Sequence, residues 1–195
     1  MNTVYIIHGF QASPASHWFP WLKQQLNRRR INAHILSMPH PTDPKLAEWV
    51  AHLQARVNTP TANTYFVAHS LGCIMLLYYI ATTPLSQPFG GMVLVSGFYE
   101  PLPPIPTLHP KLALELENIK SHPPLHFDLI RSKVALSACV SSGDDAIVPT
   151  EFSQRLAQKL NAPHYLVDNG GHFLDREGFT KLPIVDQILK DMMLA

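Results

Sequence analysis

Apolar residues along the chain fall into short runs, separated by stretches in which they recur every three or four positions. The runs are rich in β-branched and aromatic residues and predict six strands: Thr3 to Ile7, Ala33 to Leu36, Thr64 to Ala68, Met92 to Val95, Val134 to Val140 and His164 to Val167. Between the first two, Trp18, Leu22 and Leu26 recur at fourfold spacing. Before the third, Leu46, Val50, Leu53 and Val57 recur at spacings of four, three and four. Each set lines one face of a helix. Phe152, Leu156 and Leu160 predict another, and Ile184, Val185, Ile188, Leu189 and Met192 predict a C-terminal one after Pro183. Leu71 to Ala81 is apolar nearly all round, which suits a helix buried beside a sheet. Strands alternating with helices predict a doubly wound, mainly parallel six-stranded sheet with helices on both faces. Placing the second strand outside the first and the rest on its other side gives the order 2-1-3-4-5-6.

The exception to this rhythm is Gly97 to Phe127, where Pro101, Pro103, Pro104, Pro106, Pro110, Pro123 and Pro124 leave only a short helical stretch around Leu112 to Ile119. The excursion is too short for a second domain, so a single domain over residues 1–195 is expected. Its Phe98, Tyr99, Leu102, Leu108, Leu125 and Phe127 offer enough apolar surface to wall one side of a pocket.

Composition narrows the function classes. Lys and Arg total 15 against 14 Asp and Glu, for a net charge of +1, which argues against binding nucleic acid by bulk electrostatics. Hydrophobic residues reach 46% and charged ones only 15%, so a large core and little disorder are implied. Two cysteines, Cys73 and Cys139, exclude a disulfide framework. No apolar run approaches the roughly 18 residues that cross a bilayer, and Met1 to Ile7 is unlike a secretion signal. A cytoplasmic protein without a membrane partner is expected.

The chemistry concentrates after the predicted strands. Ala68-His69-Ser70-Leu71-Gly72 joins the third strand directly to a helix. A serine on so sharp a turn needs small residues two before and two after it, and Ala68 and Gly72 are small, although glycine is commoner at the first position. The plain alternative is that Ser70 only caps the helix. A serine hydroxyl is a poor nucleophile until a base takes its proton, so a histidine and an orienting carboxylate are required. Ser142-Gly143-Asp144-Asp145-Ala146-Ile147-Val148-Pro149 follows the fifth strand and Asn169-Gly170-Gly171-His172-Phe173 the sixth. Singly, these could be a turn and a flexible loop. In a parallel sheet, however, loops after strand carboxyl ends share one edge, which brings Ser70, Asp145 and His172 to one crevice. Asp145 is preferred to Asp144 because its spacing before Val148-Pro149 is the usual one for the acid of such sites. An oxyanion hole needs backbone N–H donors, and Leu71, just after the serine, and Phe10, in His8-Gly9-Phe10 after the first strand, are the candidates.

With Ser16-His17-Trp18-Phe19-Pro20-Trp21, Met38-Pro39 and Glu48-Trp49-Val50 added to these motifs, nearly the whole chain resembles the YdeN-type small serine hydrolases. These are compact α/β-hydrolases without a large lid, related to a vertebrate retinoblastoma-binding serine hydrolase. The resemblance implies the triad Ser70, Asp145 and His172. Acyl transfer to water by these residues is expected on an ester, thioester or activated amide of a small to medium acyl substrate. It names no natural substrate. No cofactor is called for. No metal site is expected either, since His-Glu-x-x-His is absent and Pro123-Pro124 separates His122 from His126. Cys73, one helical turn beyond Ser70, is expected to face the core, and Trp18, Phe19 and Trp21 to bury a helix rather than line the pocket. Two alternatives stay open. One is a non-catalytic interaction module that kept the fold, and the other is aminopeptidase-like or acyltransferase use of the same residues.

Overall fold

A computed structural model of the chain describes residues 1–57, 59–100, 102 and 109–195. Pro101, Pro103, Pro104, Pro106 and Leu108 of the proline-rich excursion lie outside the described residues. Six strands form one sheet: β1 (Thr3–Ile7), β2 (Asn32–Leu36), β3 (Thr64–His69), β4 (Phe89–Val95), β5 (Val134–Ser142) and β6 (His164–Val167). Every neighbouring pair is parallel, and the order is β2-β1-β3-β4-β5-β6, as the alternating pattern predicts.

Four strands run longer than their apolar cores. Gly90 and Gly91 look like turn residues, yet Gly91 pairs with Tyr65 on one side and Leu136 on the other. Pairing in the middle of a sheet overrides the weak β preference of glycine. Ser141 and Ser142 likewise extend β5 because β6 pairs with them.

Among the described residues, seven α-helices pack on the two faces. On one, α1 (Phe19–Arg28) and α7 (Pro183–Leu194) bury Phe19, Leu22, Leu26, Val185, Ile188 and Leu189 with Val4, Ile6 and Val67 of the sheet. On the other lie α2 (Leu46–Arg56), α3 (Leu71–Thr82), α4 (Pro110–Lys120), α5 (Phe127–Ser132) and α6 (Thr150–Leu160), packed with Ile7, Phe66 and Leu94. The helix read as apolar all round, α3, buries nine of its twelve residues. Its last carbonyls are capped by the Lys133 ammonium, which donates to Ile80, Ala81 and Thr83.

The spacing in α2 needs correction. Trp49, not Val50, is fully buried beside Leu46 and Leu53. Its indole N–H donates to the Pro39 carbonyl at 2.7 Å and its ring meets His8 edge-on. The six-residue α5 escaped the pattern because it buries only Ile130, too little to show a period.

Candidate active site

The strand order reverses at β1, so a crevice opens between the carboxyl ends of β1 and β3, where such sheets place ligands. Ser70 follows β3 immediately and carries φ 54° and ψ −124°, a conformation few side chains adopt. Its amide N–H donates to the Val95 carbonyl at 2.9 Å, which pins the turn to β4. The chain then enters α3, and α3 lies so close to β1 that a Cβ on Gly72 would sit 2.7 Å from the His8 carbonyl oxygen. Gly9 lies against the Ser70 side chain and the Leu71 amide in the same tight fit.

The three side chains singled out in the sequence form one hydrogen-bonded row. The Ser70 hydroxyl lies 2.9 Å from His172 Nε2. On the other side of the ring, His172 Nδ1–H donates to Asp145, 2.8 Å from Oδ2 and 3.0 Å from Oδ1. With the proton on Nδ1, Nε2 is free to accept from the serine. Asp145 is buried and also accepts from the amides of Ile147 and Val148, both at 2.9 Å. Asp144 points elsewhere: it is exposed and accepts from the Ser142 hydroxyl and the Gly171 amide, and these bonds hold its carboxyl below the usual range.

Several supporting residues escaped the sequence reading. Ser96, fully buried at the end of β4, donates its hydroxyl to Asp145 Oδ2 at 2.8 Å. A small polar residue just past a predicted strand was the signal available. Glu177 Oε2 accepts the amides of His172 and Leu174, which shapes the histidine loop. His69 donates from Nε2 to the His172 carbonyl at 2.9 Å, with ring centroids 4.9 Å apart. Burial, then the neighbouring His172, push the His69 pKa well down, so this imidazole stays neutral beside the row.

The loop after β1 is held in a similar way. His8 Nε2 accepts the Met38 amide at 3.1 Å, so Nδ1 must carry the proton, and it donates to the Gly9 carbonyl at 2.8 Å. That carbonyl belongs to the peptide whose N–H is Phe10's, so His8 sets the direction of the Phe10 amide. The next amide, Gln11, is engaged with the Pro41 carbonyl at 2.9 Å.

Around Ser70 and His172 the cleft encloses about 460 Å³, within the range of small-molecule sites. Phe10, Leu112, Ile147 and Leu174 supply apolar wall, and Gln11, His17, His109 and Arg176 are among the residues of its polar wall. The proline-rich excursion therefore meets this cleft through His109 and Leu112. Phe98, Tyr99, Leu125 and Phe127, expected to wall it, instead line a separate cavity. Trp18 and Phe19 are fully buried and Trp21 packs with them, so all three bury a helix. Cys73 faces the core, its thiol 3.6 Å from the Val95 carbonyl. Among the described residues no group of three or more His, Cys, Asp or Glu is arranged to hold a metal ion, and no helix is long and apolar enough to cross a membrane.

Known proteins agree with this architecture. The serine hydrolase family model matches residues 4–191. YdeN of Bacillus subtilis (strain 168) is 43% identical over 186 residues, covering 95% of this chain and 93% of that protein. The crystal structure of the B. subtilis ydeN gene product superposes with a TM-score of 0.91 at 41% identity, over the full length of both chains. Est1E from Butyrivibrio proteoclasticus, at 15% identity, shares the fold alone, with a TM-score of 0.73 over 99% of this chain and 87% of that one. The sheet order, the crevice at its reversal and these similarities together make the chain a compact α/β-hydrolase, and it belongs to the YdeN-type serine hydrolase family.

Proposed function

We propose that the chain works as a single domain that hydrolyses an ester, thioester or activated amide of a compact acyl substrate through a covalent acyl-enzyme. Ser70 attacks the carbonyl carbon while its proton passes to His172 Nε2, and Asp145 holds the ring with its Nδ1 protonated. The carbonyl oxygen, negative in the tetrahedral intermediate, is met by the amides of Leu71 and Phe10. His172 then gives its proton to the leaving group, and the acyl group stays on Ser70. Water, deprotonated by the same imidazole, attacks the acyl-enzyme and releases the acid.

The observation that carries this reading is the continuous row from Ser70 Oγ to His172 Nε2 at 2.9 Å and from His172 Nδ1 to Asp145 Oδ2 at 2.8 Å. Two further features favour it. Leu71 opens α3 and Phe10 lies past the end of β1, and among the described residues neither amide has a backbone acceptor, whereas the Gln11 amide next to Phe10 is engaged. The cleft is also walled on its apolar side by four side chains, Phe10, Leu112, Ile147 and Leu174, which suits a short acyl group.

A fluorophosphonate probe tests the proposal, since it phosphonylates only an activated serine. Intact-protein mass spectrometry is expected to show one label, carried by the peptide containing Ser70 and absent in Ser70→Ala. A wild-type protein that stays unlabelled under conditions that label a control esterase would overturn it.

A further inference from the structure

Apart from Leu112, the described apolar side chains that the proline-rich excursion places in cavities do not line the cleft at Ser70. They surround a second cavity of about 380 Å³, walled by α3, α4 and the segment between α4 and α5. The two cavities share no lining residue among those described. Helix α4 runs over both, with Leu112 facing the cleft and Leu116, one turn on, facing the second cavity.

The walls and rim of this cavity differ in chemistry. Ile74 and Phe98 form a buried floor, and Leu116, Tyr99 and Phe127 line the sides, the last two rings meeting edge-on at 4.9 Å. The charged lining residues are Glu100, Lys120 and Lys159. Glu100 is neutralised by Arg155, while Lys120 pairs with Glu117 on its own helix. Lys159 is exposed and has no carboxylate partner among the described residues. An apolar chamber with an uncompensated ammonium at its mouth is complementary to an apolar chain ending in an anion.

We propose that this second cavity binds a linear saturated carboxylate, its chain inside and its carboxylate at Lys159. At about 30 Å³ per water-sized group, the volume holds about a dozen heavy atoms, which corresponds to a chain of about eight to ten carbons. Neither a short acid nor a bulky ring system fits both ends. The short acid leaves the floor empty, and a ring system of more than about a dozen heavy atoms exceeds the volume.

Calorimetric titration with sodium octanoate, sodium butyrate and octan-1-ol tests this. Octanoate is expected to bind one per chain, and butyrate far more weakly, since each buried methylene is worth about three- to fourfold in affinity. Lys159→Gln is expected to weaken octanoate about three- to fivefold and leave octan-1-ol unchanged, as removal of a surface charge partner would. Leu116→Trp fills the chamber and is expected to abolish binding of both, with a thermal midpoint close to that of the wild type. Lys159→Gln, on the surface, keeps the test decisive should the tryptophan variant misfold. Three results would each overturn the proposal: absence of saturable octanoate binding, equal octanoate binding in Leu116→Trp, or equal weakening of octanoate and octan-1-ol by Lys159→Gln.

Discussion

Two adjacent aspartates show how sharply position decides a residue's role. Asp145 is buried, with the Ser96 hydroxyl, two backbone amides and His172 Nδ1–H all directed at it. Replacing one oxygen by an amide group in Asp145→Asn puts a donor among donors and favours the wrong tautomer of His172. A loss in kcat/KM approaching ten-thousandfold is expected, the scale of this change in other serine triads. Asp144→Asn keeps an oxygen for the Gly171 amide at an exposed site, so a loss within about tenfold is expected. Steady-state kinetics on a butyrate ester compares them, and a larger loss in Asp144→Asn would reverse the assignment. The row of Ser70, Asp145 and His172 was legible because each residue lies in a motif beside a strand end. Ser96, His69 and Glu177 were not, because what defines them is a partner distant in sequence, as with Ser96 and Asp145, 49 residues apart.

Elements were most legible where burial was one-sided. The periods of α1, α6 and α7 follow their buried faces, and β1 and β6 match their predicted limits. Failures came where a neighbouring element supplied the stabilisation. β4 gains Phe89 to Gly91 from pairing with β5 and β3, and α2 turns Trp49 inward because a carbonyl and His8 await it. The contact between α3 and β1 gives a prediction at this scale. Gly72→Ala would bring a methyl within 3 Å of both the His8 and Ile7 carbonyl oxygens, and these are backbone atoms that cannot swing aside. Such overpacking costs about 1–3 kcal/mol. Thermal unfolding should therefore show a lower midpoint in Gly72→Ala, accompanied by weaker labelling of Ser70 as the loop after β1 shifts. An unchanged midpoint would mean that the helix moves away freely.

At the scale of the whole molecule, folding encloses neutral histidines. Burial holds the pKa of His8 down and that of His69 well down, whereas in the unfolded chain each takes up its proton near pH 6.5. Above that pH both states are neutral and the contribution is constant. Below it the unfolded chain binds more protons, so stability falls as pH falls, until the lowered folded-state values are reached. The slope is about 1.4 kcal/mol per pH unit for each histidine charged only when unfolded. Urea denaturation at pH 7.5, 6.5 and 5.5 should show a falling midpoint, with a shallower acid limb in His69→Gln, and a midpoint independent of pH would contradict it. The wide spacing of the site along the chain also has a consequence for its biosynthesis. Ser70 and His172 are 102 residues apart, an interval of about 5–20 s at the ribosome. Under the proposed mechanism the serine is then made well before its base, so a nascent chain carries no activated serine until the loop after β6 has emerged.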